Sequence, residues 1–198
     1  MAVVILGASG GTGRHLVRIA RERGLDVRAL ARTPGKGFVL ADVHDPASIA
    51  AAVEPDDVLV SALGLRRRAD AGTLIAGARA VVAARPRRIV WLGAMGTGPS
   101  AAKVSGFTRR LLRAGFGAEH TDKETADAVI LNAGGTVVHS GVMSDGADRP
   151  GITLVPLAAL PHRFWPVGAP RATIARLMLD EAVAAAPRAG VLAVRAPG

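Results

Sequence analysis

Short apolar runs alternate along the chain with longer stretches of helical spacing. Runs at about 2–6, 26–30, 37–41, 57–62, 87–92, 135–139 and 190–194 have the length and the Val, Ile and Leu content of strands. Between them, helical patterns fill about 12–23, 46–53, 70–84, 103–114, 120–133 and 173–185. Strands covered on both faces read as unbroken apolar runs, and parallel neighbours need a crossover, usually a helix. The alternation therefore predicts an α/β fold: a doubly wound, mostly parallel sheet with helices on both faces. A length of 198 residues suits one domain spanning 1–198.

Helix-end signals agree with this division. Gly24 is placed to stop the first helix, Asp45-Pro46 to start the second, and Thr121 or Asp122 to cap a helix holding Thr125 to Leu131. The stretch 141–170 is rich in Gly and Pro and has no clear period, so it is expected to be an irregular segment covering the substrate side.

The most specific local pattern is the run Ala2 to Val17, where an apolar strand enters Gly7-Ala8-Ser9-Gly10-Gly11-Thr12-Gly13-Arg14 and then a helix. Gly7 can turn sharply off the strand, Gly10 lets backbone N–H groups approach a diphosphate, and Gly13 allows close helix packing. The helix N-terminus then presents its unpaired donors and positive dipole end to the anion. Gly7, Ser9, Gly10, Gly11, Thr12, Gly13 and Arg14 are thus expected around a dinucleotide diphosphate, as in a Rossmann domain. The spacing, G-x-x-G-x-x-G, departs from the G-x-G-x-x-G of most dehydrogenases.

The second strand bears on which dinucleotide is held. It ends in Arg32-Thr33-Pro34-Gly35-Lys36, with no Asp or Glu where an NAD-specific protein places a carboxylate on the ribose hydroxyls. Arg32, with Arg14 and Thr33 or Lys36, is suited instead to a 2′-phosphate, so NADP(H) is expected in preference to NAD(H). After the third strand, the Asp42 carboxylate is placed to accept from an adenine amino group and the Val43 N–H to meet a ring nitrogen. Ala62, Leu63 and Gly64 end the fourth strand at the rim where ligands bind, and their small size permits close approach of a ribose. Both segments read equally well as plain turns.

Bulk composition removes several classes of chemistry. There is no Cys, which excludes disulfides, thiolate catalysis and cysteine-ligated metals and fits a reducing compartment. The five His residues lack i, i+4 pairing and the carboxylates are scattered, so no metal site is expected. The N-terminal apolar run follows no basic segment and is too short to span a membrane, giving a cytoplasmic expectation without membrane association. A net charge of +9 invites a nucleic-acid reading. Its basic residues, almost all Arg, are however spread along the chain, aromatic residues are only 3%, and no helix-turn-helix or finger pattern is present. The charge is better read as a solvated basic surface that steers an anionic cofactor. A homodimer is compatible with everything in the sequence.

Taken in order, these segments resemble the atypical short-chain dehydrogenase/reductase family, in its NAD(P)H-binding, NmrA-like and flavin (biliverdin-IXβ) reductase-like branch. The resemblance rests on Gly7 to Gly13, Leu30-Ala31-Arg32, Ala41 to Asp45, Val60 to Gly64, Arg88 to Leu92, Asp122-Lys123-Glu124, Asn132-Ala133-Gly134, Thr136-Val137-Val138 and Ser140 to Gly146. It implies either reduction of flavins, tetrapyrroles, quinones or enones with NADPH, or dinucleotide binding in a regulator. The chain departs from its relatives in three places. It has no Tyr, so the Tyr-x-x-x-Lys acid cannot exist. Leu92 to Thr97 stands where relatives often carry Ser or Thr, and His139-Ser140-Gly141 where many have Arg-Pro-Gly.

An isolated ketone needs a positioned proton donor as charge builds on its oxygen, so the missing Tyr argues against an ordinary alcohol dehydrogenase. Conjugated acceptors delocalise that charge, and the protein then mainly orients two rings. Candidate side-chain donors are Thr97, His120 and Lys123, with Ser100 and Ser105 behind them. Gly93, Ala94 and Met95, at the end of the fifth strand, are expected beside the nicotinamide. His162, Phe164 and Trp165 supply an apolar wall with a cationic rim for a planar, conjugated small-molecule substrate, or else a loop that hides its aromatics. The leading expectation is an NADPH-dependent oxidoreductase passing hydride to a flavin, quinone or enone. A noncatalytic NADP(H) redox sensor, and a redox-neutral isomerase or tailoring enzyme, are the alternatives.

Overall fold

Alternate residues of the first strand feed two separate cores. Val3 and Ile5 of β1 (Val3–Leu6) pack into one cluster, Val4 and Leu6 into another, and all four are buried. This is the two-sided burial that a central parallel strand requires, because successive side chains leave opposite faces of the pleat. The computed structural model describes residues 1–64 and 72–197; within the long fourth helix, the side chains at 112, 113 and 115–118 fall outside that description.

From β1 the chain runs through α1 (Gly11–Glu22), β2 (Val27–Ala31), β3 (Val39–Leu40), α2 (Pro46–Ala51), β4 (Val58–Ser61), α3 (Thr73–Ala84) and β5 (Arg88–Ala94). A 3-10 turn over Gly98–Lys103 then leads to α4 (Gly106–Asn132), β6 (Thr136–Ser140), β7 (Met143–Ser144), β8 (Thr153–Pro156), β9 (Ala169–Pro170), α5 (Arg171–Val183) and β10 (Gly190–Arg195). The main sheet has eight strands in the order β3-β2-β1-β4-β5-β6-β10-β8. Every pair in it is parallel except β10 with β8. The expected single-domain, doubly wound α/β fold is present. The strand order reverses between β1 and β4, and the crevice beyond their carboxyl ends is where such sheets take ligands.

Helices α1 and α5 cover one face through Leu16, Val17, Ala20, Ile174 and Met178. The other face carries α2, α3 and α4 through Ile49, Leu74, Ala78, Val81, Ala126 and Ile130. Gly24, with φ +70°, ends α1 as the sequence suggests. The expected start of the third helix at 70 and 71 lies outside the described residues.

Three expectations need correction. The helices expected at 103–114 and 120–133 are one continuous α4, capped by Ser105, whose Oγ accepts from the Thr108 N–H at 3.1 Å. A Gly inside a helix, as at 115 and 117, costs only about 1 kcal/mol, and packing against α3 and β5 carries α4 through. Asp122 does not cap its own helix. Its carboxylate accepts from the N–H groups of Leu74 and Ile75, both at 3.1 Å, and so caps the start of α3. Finally, 141–170 is not wholly irregular: β7 pairs with β9, and β8 forms the antiparallel edge of the main sheet. Four residues between Gly and Pro carry little periodicity, and the partner of β8 lies some forty residues downstream in β10.

Candidate active site

Two adjoining hollows open at the carboxyl ends of the central strands and share the glycine turn and the segment Ala62 to Gly64. The narrower, of about 100 Å³, lies between the end of β2 and the end of β4. Gly7, Ser9 and Gly10 form its floor, Arg32, Thr33, Asp42 and Val43 one side, and Ala62, Leu63 and Gly64 the other. The wider cleft, of about 660 Å³, runs from the glycine turn past the end of β5 to the loops after β6.

The glycine turn is built as its sequence implies. Gly7 has φ +78°, outside the range most side chains tolerate. Gly10 donates its N–H to the Gly7 carbonyl at 2.9 Å, and α1 starts at Gly11 with no side-chain cap on its N-terminus. Gly11, Thr12 and Arg14 border the wide cleft, so the first turn of α1 faces it. The Arg14 guanidinium also donates to the Ser9 carbonyl at 3.2 Å. Gly13 touches neither hollow; its role is packing against Gly7, the close approach for which the pattern needs a third glycine.

Asp42 sits in a braced turn. Its Oδ1 accepts from the His44 N–H at 3.0 Å, its own N–H donates to Ser48 Oγ at 2.9 Å, and Ser48 is tied to Asp45. The two readings of this segment, turn and ligand contact, thus describe the same residues: the turn sets Asp42 and buried Val43 against the narrow slot. Arg32 and Thr33 border the slot as expected, whereas Lys36 does not.

Gly93, Ala94, Met95, Thr97, His120, Lys123 and Trp165 all border the wide cleft. Of His162, Phe164 and Trp165, expected as a substrate wall, Trp165 borders the cleft. His162 lies away from the cleft, and Phe164 turns outward to stack on Phe107, with ring centroids 6.2 Å apart. The 157–166 segment is held there by a bridge from Arg163 to Val104 and by Lys103, whose Nζ donates to the Leu160 carbonyl. Ser105 is spent as the α4 cap.

Several cleft residues had no local signal. Met143, Val142, Glu119 and Arg171 join the lining, and Arg171 stands over the glycine turn, where a β-carbon on Gly11 would come within 2.9 Å of its Cδ. Arg171 pairs with Asp145 at 2.8 Å. The β7–β9 pairing and the packing of α5 on α1 bring these segments to the turn, and two-residue strands leave no readable pattern.

Beneath the end of β5 lies a polar network. His139 is fully buried on β6; its Nδ1 is 2.7 Å from Ser100 Oγ and its Nε2 is 3.1 Å from Asp127 Oδ2. Thr97 Oγ1 lies 3.4 Å from the same carboxylate oxygen and donates to the Ala94 carbonyl at 2.7 Å. Gly93 leaves room for the imidazole, since a β-carbon there would stand 2.6 Å from His139 Cδ2.

Several solved structures share the fold. ChuY, an anaerobilin reductase from Escherichia coli O157:H7, superposes with a TM-score of 0.80 at 20% identity over 100% of this chain and 98% of its own. A short-chain dehydrogenase/reductase from Veillonella parvula DSM 2008 gives 0.77 at 15% identity, covering 100% of this chain and 94% of its own. A Streptococcus pneumoniae TIGR4 protein provisionally named an NADH-flavin reductase gives 0.76 at 16%, over 100% of both chains. No curated protein matches the sequence. The NAD(P)H-binding family model matches residues 7–184, which take in the glycine turn, both hollows and the network behind β5. The chain belongs to the NAD(P)H-binding family.

Proposed function

We propose that this protein is an NADPH-dependent reductase of planar, conjugated small molecules. The observation that carries the reading is the joining of a narrow slot and a wide cleft across one uncapped helix N-terminus. The residues fit a reduced dinucleotide: Gly10 leaves the main chain bare over the turn, and the helix N-terminus favours an anion there. The diphosphate would lie on Ser9 to Thr12 with Arg14 beside it, and the adenosine between Arg32 and Asp42-Val43 on one side and Ala62 to Gly64 on the other. Arg32 and Thr33 would favour the 2′-phosphate of NADP(H), with no carboxylate in the segment that follows β2.

In that arrangement the nicotinamide end would lie beside Gly93, Ala94 and Met95. When bound, the reduced nicotinamide supplies a hydride. The protein's part is to hold an acceptor ring in register and to exclude water, through Met95, Leu92, Met143 and Trp165 around the cleft. Arg14, Arg171 and Lys123 give the same cleft a cationic rim, suited to a planar acceptor that carries acidic groups. Two of the structurally similar proteins bear reductase names, one for an anaerobilin and one, provisionally, for a flavin.

The test is steady-state oxidation of NADPH by the purified protein with a panel of flavins, quinones, enones and linear tetrapyrroles, and an isolated aliphatic ketone as comparator. Turnover with at least one conjugated acceptor and none with the ketone is expected. Tight NADPH binding without turnover across the panel would move the protein to the redox-sensor class.

A further inference from the structure

The chain has no Tyr to protonate its product, yet the structure buries one ionisable pair directly behind the cleft. We propose that Asp127 and His139 together store one transferable proton and deliver it to the acceptor through the hydroxyl of Thr97. This rests on the reductase reading and names the proton donor of that same site.

The hydrogen-bond inventory carries the argument. Ser100 Oγ accepts from the Gly96 N–H at 2.9 Å and stands 2.9 Å from the Thr97 carbonyl oxygen. The single Ser100 hydroxyl proton can serve either that carbonyl or His139 Nδ1 at 2.7 Å; we assign it to the carbonyl, so that Nδ1 carries the hydrogen between the two side chains. The other ring nitrogen faces Asp127 Oδ2 at 3.1 Å. Either Nε2 is also protonated and faces a carboxylate, or it is bare and accepts from a carboxylic acid. In both cases the pair is neutral overall and holds one proton more than a carboxylate beside a neutral imidazole.

Burial favours that state. Asp127 is 2% exposed and His139 0%, and Asp127 Oδ1 has no hydrogen-bond partner among the described residues. A net negative charge with an unmatched oxygen is costly in such surroundings, and a retained proton removes it. Asp127 is the charged group that meets the imidazole. Lys123 and His120, on the same helix, border the cleft, and Glu124 lies beside Gly98.

Thr97 links this store to the cleft. Thr97 Oγ1 is 3.4 Å from Asp127 Oδ2, and Thr97 borders the cleft beside Ala94 and Met95. An acceptor that has gained a hydride from the reduced nicotinamide is one proton short. It takes the Thr97 hydroxyl proton: the Thr97 O–H bond breaks as the new bond to the acceptor forms. Thr97 oxygen recovers a proton from the pair, which becomes a carboxylate and a neutral imidazole. Solvent proton then restores the pair when product leaves. In the resting state the Thr97 hydroxyl points to the Ala94 carbonyl, so delivery needs one rotation about its χ1 or C–O bond.

The experiment has two readouts. On the protein without nucleotide, long-range proton–nitrogen NMR of the His139 ring, identified by its loss in His139→Gln, is expected to show a hydrogen on Nδ1 at neutral pH. A bare Nδ1 with a hydrogen on Nε2 overturns the proposal, whatever the protein catalyses. In turnover with the best conjugated acceptor, Thr97→Val is expected to lower kcat about a hundredfold with NADPH affinity retained, and Thr97→Ser to restore most of the loss. Equal kcat in Thr97→Val and the natural protein also overturns it, while leaving the reductase reading intact. If the natural protein oxidises no NADPH, the reductase reading falls, and the relay to an acceptor falls with it.

Discussion

A β-carbon on Gly13 would stand 2.1 Å from the carbonyl oxygen of Gly7, far inside any real contact distance. The two glycines therefore define one object: the strand exit at Gly7 and the first turn of α1 are locked together by backbone proximity. Gly13→Ala cannot be absorbed by a side-chain adjustment, because the atoms met are backbone atoms of Gly7 and Ala8. The substitution is expected to destabilise the fold by about 3 kcal/mol and to remove dinucleotide binding, as read by thermal melting and calorimetry.

Arg32 borders the narrow slot with its side chain exposed, so its loss should leave the fold unchanged. Arg32→Ala is expected to weaken NADPH binding by about ten- to a hundredfold, the value of a charge-assisted hydrogen bond to phosphate. NADH binding should change little. Calorimetric titration with both nucleotides checks the pair of values, and equal losses would remove Arg32 from the 2′-phosphate role.

Trp165 and Trp91 are the two tryptophans of the chain, and they occupy opposite environments: Trp91 is buried in the core, Trp165 stands at the cleft. A planar acceptor in the cleft should quench the emission of Trp165 alone. Trp165→Ala is expected to raise the KM for the acceptor about tenfold through loss of ring contact, with NADPH affinity retained. Abolished quenching in this variant identifies the reporter.

Acid sensitivity should come from Asp57, which braces the N-terminal ends of β1 and β4. Burial opposes its ionisation. The Ala2 and Glu54 N–H groups, at 2.7 and 2.9 Å, and the Arg28 guanidinium at 2.8 Å outweigh that and hold its carboxyl below the ordinary value. Because the folded-state value is the lower one, the stabilisation is complete above the unfolded-chain value and is lost as pH falls through the folded value. Asp57→Asn is expected to cost about 1–3 kcal/mol at neutral pH, a deficit that shrinks as the medium becomes acidic below the usual carboxylate range. Thermal melts of both proteins across that range give the comparison.

The parts of the site that were legible in the sequence are those made by contiguous residues. Gly7 to Arg14 announces itself because a turn, a strand end and a helix start must all be encoded within a few positions, and Arg32 follows because β2 ends next to β1. Asp122 misled for the opposite reason. A Thr-Asp pair before an apolar run carries the local signature of a helix start, yet α4 continues through it and the carboxylate serves α3, 47 and 48 residues away. Arg171, paired with Asp145, reaches the glycine turn beside a pairing of two-residue strands, which has no period to read. His139, Asp127 and Ser100 meet from separate elements, 12 and 39 residues apart, and nothing near any one of them hints at the others. Phe164, read as a substrate contact, finds its partner in Phe107 across the loop instead.

The most direct measurement is a single turnover. The protein is loaded with one equivalent of NADPH and mixed under anaerobic conditions with the best acceptor of the panel, while reduced nicotinamide and reduced acceptor are followed together. The account predicts that the two signals change mole for mole, far faster than in a mixture without protein. Bound NADPH that stays reduced at the protein-free rate, with acceptor present in the cleft by Trp165 quenching, would contradict it.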